Sequence, residues 1–505
     1  GTGNGYGDGR AISVAEVVVE ENGYHRWELQ LKGAGTTPFS RNADGRAVLR
    51  SSVREFLASE FMNSCDVSTT RALSVVASQS DKIMRPWYSN RHKGNVEMPD
   101  MSSVPEEFHN MLKAQYLSRF KDPDIMQPEI CAITCRVAPS FIRVGHIELF
   151  SRRINGHRAH QIGTPEFTLA KQQLKKLVKH AIIREFPQID VKGWDHNENN
   201  SKPILEFLRQ VSMNIAKLTA DWIRVGYVQG NFNSDNCLIG GRTMDYGPFG
   251  FIEKFETHWN MWIGGGQKFG FLNQPDAGAK NFGTFVEAVL PLLENDPKAV
   301  QEAQELKTSH EFDALLALRN VWQQKLGLKE WPENADTVLL RPLLKLLTRK
   351  PTDYTIFWRQ ISYLVDLQAL SPNSALKFEQ ITKVLNNAFW DGDVLIKDSE
   401  IGKVWHAWIL VWLDSLRDQY KTDVDEMKAA AARMRKVSPK YIPREWMLVR
   451  AYTAANNGDY NIVKELLHLF RDPYNEQPDM ESKYYVKAPI ETYNGIGVGG
   501  MSHMS

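Results

Sequence analysis

The chain has 505 residues and a formal net charge of +1, from 61 basic and 60 acidic side chains. That length exceeds one ordinary hydrophobic core and predicts two or three lobes. The near-zero charge excludes binding driven by bulk attraction to nucleic acid or anionic membrane. Four cysteines, Cys65, Cys131, Cys135 and Cys237, are too few for a disulfide scaffold in so long a chain and fit a reducing compartment.

Glycine stands at positions 1, 3, 5, 7 and 9 of the opening GTGNGYGDGR, a backbone free of side-chain bulk and able to approach a ligand closely. RAISVAEVVVEENGYHRWELQLKG then reads as two strands joined at Asn22-Gly23, a dipeptide suited to a two-residue hairpin turn. In the second strand Trp27, Leu29 and Leu31 alternate with Glu28, Gln30 and Lys32. The first set is expected to face the core and the second to face solvent or a cleft.

Beyond Lys32, SSVREFLASEFM has helical spacing, with Val53, Phe56, Leu57 and Phe61 on one side and Glu55 off that stripe. Ser51 or Ser52 is the expected N-cap, which places Glu55 within the first turn. The polar, proline-containing segment from about Gln79 to Gln127 reads as a long insertion. CAITCRVAPSFIRVGHIELF returns to strand character and runs into a helix. Cys131 and Cys135 have CxxxC spacing, but no second pair completes a zinc site.

From about Thr164 the pattern is helical. Ile204, Leu208, Val211, Ile215, Leu218 and Trp222 share one helix face just before GNFNSDNCLIGGRTMDYGPFG. That glycine-rich window holds Asp235, Asn236 and Asp245, hard oxygen donors that suit either a divalent cation or a set of tight turns. Beyond about Phe282 the chain reads as amphipathic helices broken at LGLKEWPENAD, LSPNS and VSPKYIP. The apolar run VWHAWILVWL is about half the length a bilayer needs and reads as a buried helix. No membrane span is expected. Strands first and helices after make an α+β, two-lobed reading.

Glycine-rich loop, strand ending in Lys32, helix bearing Glu55, then Asp235-Asn236 and Asp245-Tyr246-Gly247 is the order of parts in a protein-kinase-like phosphate-transfer site. Each part alone is an ordinary surface or turn feature; the ordered set carries the argument. The wording LQLKGAGTTPFSRNADGRAVLRSSVREFLASE, TCRVAPSFIRVGHIE, NSDN with TMDYGPFGFIE, FGFLNQP, SPKYIPREWML and FRDPYNEQP closely resembles the selenoprotein O family, from about Gly7 to about Pro478.

The resemblance implies a kinase-like fold that binds ATP in reversed orientation and transfers AMP to Ser, Thr or Tyr hydroxyls of proteins. It divides the chain into an N-lobe (1–145, with an insertion around 79–127), a C-lobe (146–280) and a helical extension (281–505) packed on the C-lobe. It also implies that Gly7, Gly9, Arg10, Lys32, Asp44, Gly45, Arg136, Arg143 and Asp245 contact ATP, with Glu55 as the partner of Lys32. Asp235 is then the general base, and Asn236 and Asp245 the ligands of Mg²⁺, for which Mn²⁺ could substitute. His146 and Glu148 read as support for Arg143, while His157 and His160 read as structural.

Partners implied are ATP and hydroxyl-bearing proteins, metabolic or redox proteins in general terms, with no nucleic acid. Location would be mitochondrial in a eukaryote, towards which the long segment before Cys131 leans, or cytoplasmic in a bacterium. The chain departs from the family pattern at Gln229-Gly230-Asn231, where His-Gly-Val is usual, a change expected to touch loop geometry rather than chemistry. Phe232 and Ser234 are milder departures. The last residues, GIGVGGMSHMS, hold neither the selenocysteine nor the cysteine for which the family is named. The alternatives are an ordinary phosphotransferase and a catalytically inactive scaffold.

Overall fold

The computed structural model describes residues 7–19, 26–40, 42–87, 125–161, 163–192, 194, 200–262, 265–391, 394–395 and 399–489. Among the described residues its N-terminal part is an antiparallel sheet and one helix: β1 (Ala11–Val18), β2 (Arg26–Lys32), β3 (Ala47–Val48), α1 (Leu49–Ser64), β4 (Arg71–Trp87) and β5 (Ile125–Ala138). Strand β5 is the hub: it pairs with β2 and β3, and also with β4. The predicted hairpin strands pair as β1 and β2, with Ala11 opposite Lys32; their Asn22-Gly23 turn and Gly1, Gly3 and Gly5 lie outside the described residues.

The structure corrects four expectations. The alternation in β2 is present but its burial is reversed: Gln30 and Lys32 are buried, Leu29 and Leu31 half-buried, and Trp27 exposed. The cause is the cross-strand partner: Gln30 stands opposite Arg136 and Lys32 opposite Thr134, so polar side chains of both strands share one covered face. The two ends of the segment read as an insertion are strand, since β4 continues to Trp87 and β5 starts at Ile125; residues 88–124 lie outside the described residues.

Helix α1 begins at Leu49 after Val48, with no side-chain cap; the Ser51 hydroxyl instead donates to the Val48 carbonyl, and Glu55 lies in the second turn. Nor is α1 a one-sided amphipathic helix, since Arg50, Ser52, Arg54, Glu55 and Ser59 are buried along with its apolar stripe.

Among the described residues the remaining named elements are helices and one small ribbon. Helices α2 (Val144–Gln161), α3 (Pro165–Glu185) and α4 (Lys202–Val225) come first. The six residues predicted for one face of α4 are all buried. Gly226, at φ +80°, ends α4 in the left-handed conformation and lets the chain reverse. It leads straight into the ribbon β6 (Tyr227–Gln229) and β7 (Phe249–Phe251).

Helices α5 (Gln274–Val289), α6 (Pro297–Lys325), α7 (Arg341–Arg349), α8 (Tyr354–Leu370), α9 (Phe378–Leu385), α10 (Glu400–Tyr420), α11 (Val424–Val437), α12 (Glu445–Asn456), α13 (Asn461–Arg471) and α14 (Pro478–Tyr484) follow. The three predicted breaks fall after α6, α8 and α11.

VWHAWILVWL lies in α10, burying Trp405, Trp408, Ile409 and Trp412 while Val404 and Val411 stay exposed. The indole N–H groups of Trp408 and Trp412 donate to the Leu339 and Leu326 carbonyls, each at 2.9 Å. Among the described residues no helix is long and apolar enough to cross a membrane.

One hydrophobic cluster runs from Leu49 to Ala488. The C-terminal helices reach α1 as well as the central helices: α12 and α13 cover its outer side, and Phe61 meets Phe470 edge to face at 5.6 Å. All four cysteines are free thiols and buried.

Candidate active site

Lys32 ends β2 and is 5% exposed. Its ammonium donates to Glu55 Oε2 at 2.6 Å and to Asp245 Oδ1 at 2.7 Å. A strand, a helix and a distant loop thus meet on one charge. The chain can turn immediately afterwards because residue 33 is glycine: at φ +95° a Cβ there would stand 2.6 Å from the Ala132 carbonyl oxygen.

Arg136 points from β5 into the same region. Its Nε and Nη2 both donate to Gln30 Oε1, at 3.0 and 2.9 Å, and its guanidinium lies 5.1 Å from the Phe141 ring centroid. Arg136 Nη2 and Arg143 Nη2 converge on a single atom, Asp8 Oδ2, at 2.6 and 2.7 Å. Asp8 was not among the predicted site residues. Its other oxygen accepts the backbone N–H groups of Arg10 and Ala11, each at 3.1 Å. Arg136 Nη1 and Arg143 Nε are buried and have no hydrogen-bond partner among the described residues. Burial alone would raise the Asp8 carboxyl, but Arg136, Arg143 and Lys32 outweigh it and hold it far below the usual carboxylate range.

The Asp235 loop is tied to the Arg143 segment by backbone hydrogen bonds. Val144 N–H donates to the Cys237 carbonyl, Gly145 N–H to Ser234 and Ile239 N–H to Ile142, at 2.9, 2.9 and 3.0 Å. His146 supports Arg143 as expected, its Nδ1 accepting the Arg143 N–H at 3.2 Å. Glu148 does not: it accepts instead from the Ser234 hydroxyl at 2.9 Å, beside Asp235. Asn236 donates its amide to the Asn231 carbonyl at 2.8 Å, leaving its side-chain oxygen as the atom able to bind a cation. Asp235 Oδ1 is buried without a partner among the described residues. Burial, and secondarily the nearby Asp245 charge, push the Asp235 carboxyl up.

Asp245 has φ +58°, a left-handed conformation that costs a non-glycine residue roughly 1–3 kcal/mol and must be held by its surroundings. Gln229 supplies part of that hold, donating from Nε2 to the Met244 and Asp245 carbonyls, both at 3.2 Å. The glutamine in place of the usual histidine is therefore a loop-positioning group. Thr243 adds a bridge to Thr69, and Tyr246 shares a hydrogen bond with the Thr69 hydroxyl. Burial raises the Asp245 carboxyl, yet Lys32 and Arg10 together bring it well below the ordinary value.

The remaining predicted residues are placed differently. Gly7 faces the Phe39 ring, where a Cβ would come within 2.3 Å of Cδ2, and Gly9 lies against the Phe39 carbonyl. Asp44 is not brought to Lys32: it is exposed, in a two-point pair with Arg85 at 2.7 and 2.9 Å. Gly45, at φ +67°, lies against the backbone of Gly35. The centre opens onto a cleft of about 440 Å³, lined in part by Gly7, Asp8, Gln30, Phe39, Phe141 and Arg143. The side chains of His157 and His160 lie outside the described residues.

Two signals for the missed residues were present in the sequence. Gln30 shares the Lys32 face by strand periodicity, and two arginines sent to a buried site need an anion to accompany them. Among the described residues no group of three or more His, Cys, Asp and Glu side chains could hold a metal ion by itself.

Comparison with known proteins adds the family. The profile of the protein adenylyltransferase SelO family matches residues 3–96 and 112–471. The chain belongs to the SelO family. Relatives include proteins named protein nucleotidyltransferase YdiU from Aromatoleum aromaticum, 33% identical over 98% of this chain and 80% of the relative, and from Azoarcus sp. strain BH72, 35% identical over 94% and 76%. A third, from Flavobacterium johnsoniae, is 32% identical over 98% and 80%. As a SelO family member the chain is a protein nucleotidyltransferase of the adenylyltransferase type. The break in the profile match, 97–111, falls in the stretch read from the sequence as an insertion. These relatives are bacterial and lend no support to the mitochondrial expectation.

Proposed function

We propose that this chain transfers AMP from ATP to Ser, Thr or Tyr hydroxyls of protein substrates. The observation that carries the reading is the gathering of Lys32, Arg136 and Arg143, all buried, around carboxylates of the loop and metal motifs. In AMP transfer the acceptor oxygen forms a bond to the α-phosphorus while the bond to the bridging oxygen breaks, and pyrophosphate leaves with the electron pair. The departing group gathers negative charge, and fixed cations in a site shielded from water stabilise that charge most. Guanidinium groups with unengaged, buried N–H donors suit this task, because phosphate oxygens accept them in pairs.

The triphosphate accordingly points towards Arg136 and Arg143, the reverse of its orientation in an ordinary kinase. Asp235 accepts the hydroxyl proton; its raised carboxyl and buried, unpartnered oxygen suit a base that works near neutral pH. Glu55 holds Lys32 in place. Gly7, Gly9 and Arg10 border the nucleotide, with Asp44 and Gly45 at the rim.

Mg²⁺ would be held by Asn236 and Asp245, and would neutralise phosphate charge when bound. The donor set fits, since Mg²⁺ characteristically takes one or two protein oxygens and completes its shell with phosphate and water. The architecture proposed is a kinase-like pair of lobes, 1–145 and 146–280, with the helices of 281–505 as an extension.

Incubation of the chain with Mg²⁺, an acceptor protein and ATP labelled at either the α- or γ-phosphorus tests the reading. Retention of the α label, as an adduct of AMP mass that Asp245→Ala abolishes, is expected. An adduct of phosphate mass would replace AMP transfer with phosphoryl transfer.

A further inference from the structure

The two arginines are neutralised differently from the other buried arginines of the chain. Arg444 is matched by two carboxylates, taking Asp353 at two points, 2.7 and 3.0 Å, and Glu253 at 2.8 Å. Arg50 takes Glu129 at two points, 3.2 and 2.9 Å. Arg136 and Arg143, by contrast, share one oxygen of one carboxylate; like Arg50, each also keeps a buried N–H donor without a partner among the described residues. Glu55 and Asp245 add negative charge at longer range, but both are engaged by Lys32, so among the described residues Asp8 is the carboxylate in hydrogen-bond contact with the two guanidinium groups.

Contacts besides the Asp8 carboxylate also hold the arginines and the loop in place. Gln30 fixes the Arg136 fork, and the Arg143 backbone is paired with Leu238. Thr37 Oγ1 donates to the Asp8 carbonyl at 2.7 Å, and the Ser40 hydroxyl donates to the Gly9 carbonyl. Asp8 and Arg143 both line the 440 Å³ cleft, so an anion arriving from that cleft meets them together.

We propose that the Asp8 carboxylate is the resident anion of the Arg136–Arg143 pair and is displaced by the incoming triphosphate. This rests on the reading that a triphosphate binds here. While the site is empty, Asp8 prevents two buried guanidinium groups from repelling one another. Once polyphosphate oxygens occupy the pair, a carboxylate between the same donors would repel them, so the two anions exchange. Asp8 is thus a residue that sets nucleotide affinity and is distinct from those that hold the nucleotide.

Binding of inorganic tripolyphosphate to the full chain, without metal, tests the exchange by calorimetry and thermal unfolding. Asp8→Asn keeps an oxygen for the Arg10 and Ala11 N–H groups but removes the charge. It is expected to bind tripolyphosphate about tenfold or more tighter than wild type, the scale of one charge-assisted contact no longer broken on binding. It should also unfold at a lower temperature when unliganded and gain more from the ligand. Equal or weaker binding by Asp8→Asn overturns the proposal, as does an absence of binding by both proteins.

Should the variant not fold, a structure of the wild type with tripolyphosphate bound decides. Asp8 Oδ2 beyond hydrogen-bond reach of at least one arginine supports exchange, and Asp8 still bonded to both overturns it. A phosphate-mass adduct in the labelling experiment would overturn AMP transfer and leave the exchange standing. Unchanged tripolyphosphate affinity would do the reverse.

Discussion

Lys32 sets one buried ammonium against two carboxylates, the buried Glu55 and the partly exposed Asp245. Replacing it with methionine leaves both acids facing each other without a bonded counter-charge, with Arg10 and Arg136 acting only at longer range. Breaking a buried pair from one side typically costs about 3–5 kcal/mol. Lys32→Met should therefore lower the urea midpoint clearly and reduce AMP transfer by roughly two orders of magnitude or more, as losing a transition-state electrostatic contact does.

Asp235 makes a second prediction at this scale. As a base it must be ionised, and burial and Asp245 raise its carboxyl. The acid limb of kcat/KM for AMP transfer should then lie above the pH at which an ordinary aspartate titrates, about 4, and activity should fall as pH drops through it. A limb at or below that pH would remove Asp235 from the role.

Helix α1 is the element on which the sheet, the site and the C-terminal helices all bear. Arg54, adjacent to Glu55 and 1% exposed, pairs with Glu445 at the start of α12, donates to the Phe249 carbonyl of β7 at 3.1 Å, and stacks over the Phe249 ring at 4.7 Å. One side chain therefore fixes α1 against the strand that follows the Asp245 motif. Glu445→Gln should destabilise the fold by about 2 kcal/mol or more, the cost of removing one partner of a buried pair. Because α1 carries Glu55, AMP transfer should fall as well. The check is chemical denaturation beside kcat, with Arg54→Lys as a milder companion.

The sequence made the apolar face of α4 and the breaks after α6, α8 and α11 legible, because periodicity and proline report local geometry directly. It misjudged α1 and β2 for one physical reason. Both bury polar side chains whose partners, Glu445 for Arg54 and Arg136 for Gln30, lie far away in the chain. Periodicity treats a buried Gln or Arg as solvent-facing. The motif residues around Lys32 and Asp245 were found through the family resemblance. Asp8 was missed because its role exists only once two arginines from the end of β5 and the segment after it arrive beside the glycine loop.

Within the helical extension a second polar cluster ties α8 to the segments that follow α11 and α13. Glu476 accepts from Arg359, Tyr363 and Lys440, the last at 2.7 Å. Burial raises its carboxyl, but the hydrogen bonds from Lys440 and Arg359 prevail and bring it down to about 2 from 4.5. The folded value is lower than the unfolded one, so this group's contribution is fully present above about pH 4.5 and is lost as pH falls towards 2. Glu476→Gln should lower the unfolding temperature at neutral pH and flatten its decline over that acid range. An unchanged slope would assign the acid limb to other carboxylates.

Cys65, Cys131, Cys135 and Cys237 are spread over the end of α1, strand β5 and the Asp235 loop, and the interior raises all four thiols above their usual titration range. The native chain should accordingly resist alkylating reagents and consume them only at the rate its segments breathe open. Its own sulfur atoms become four internal clocks, from which mass spectrometry after timed exposure to iodoacetamide reads the loosening of each region without any added label.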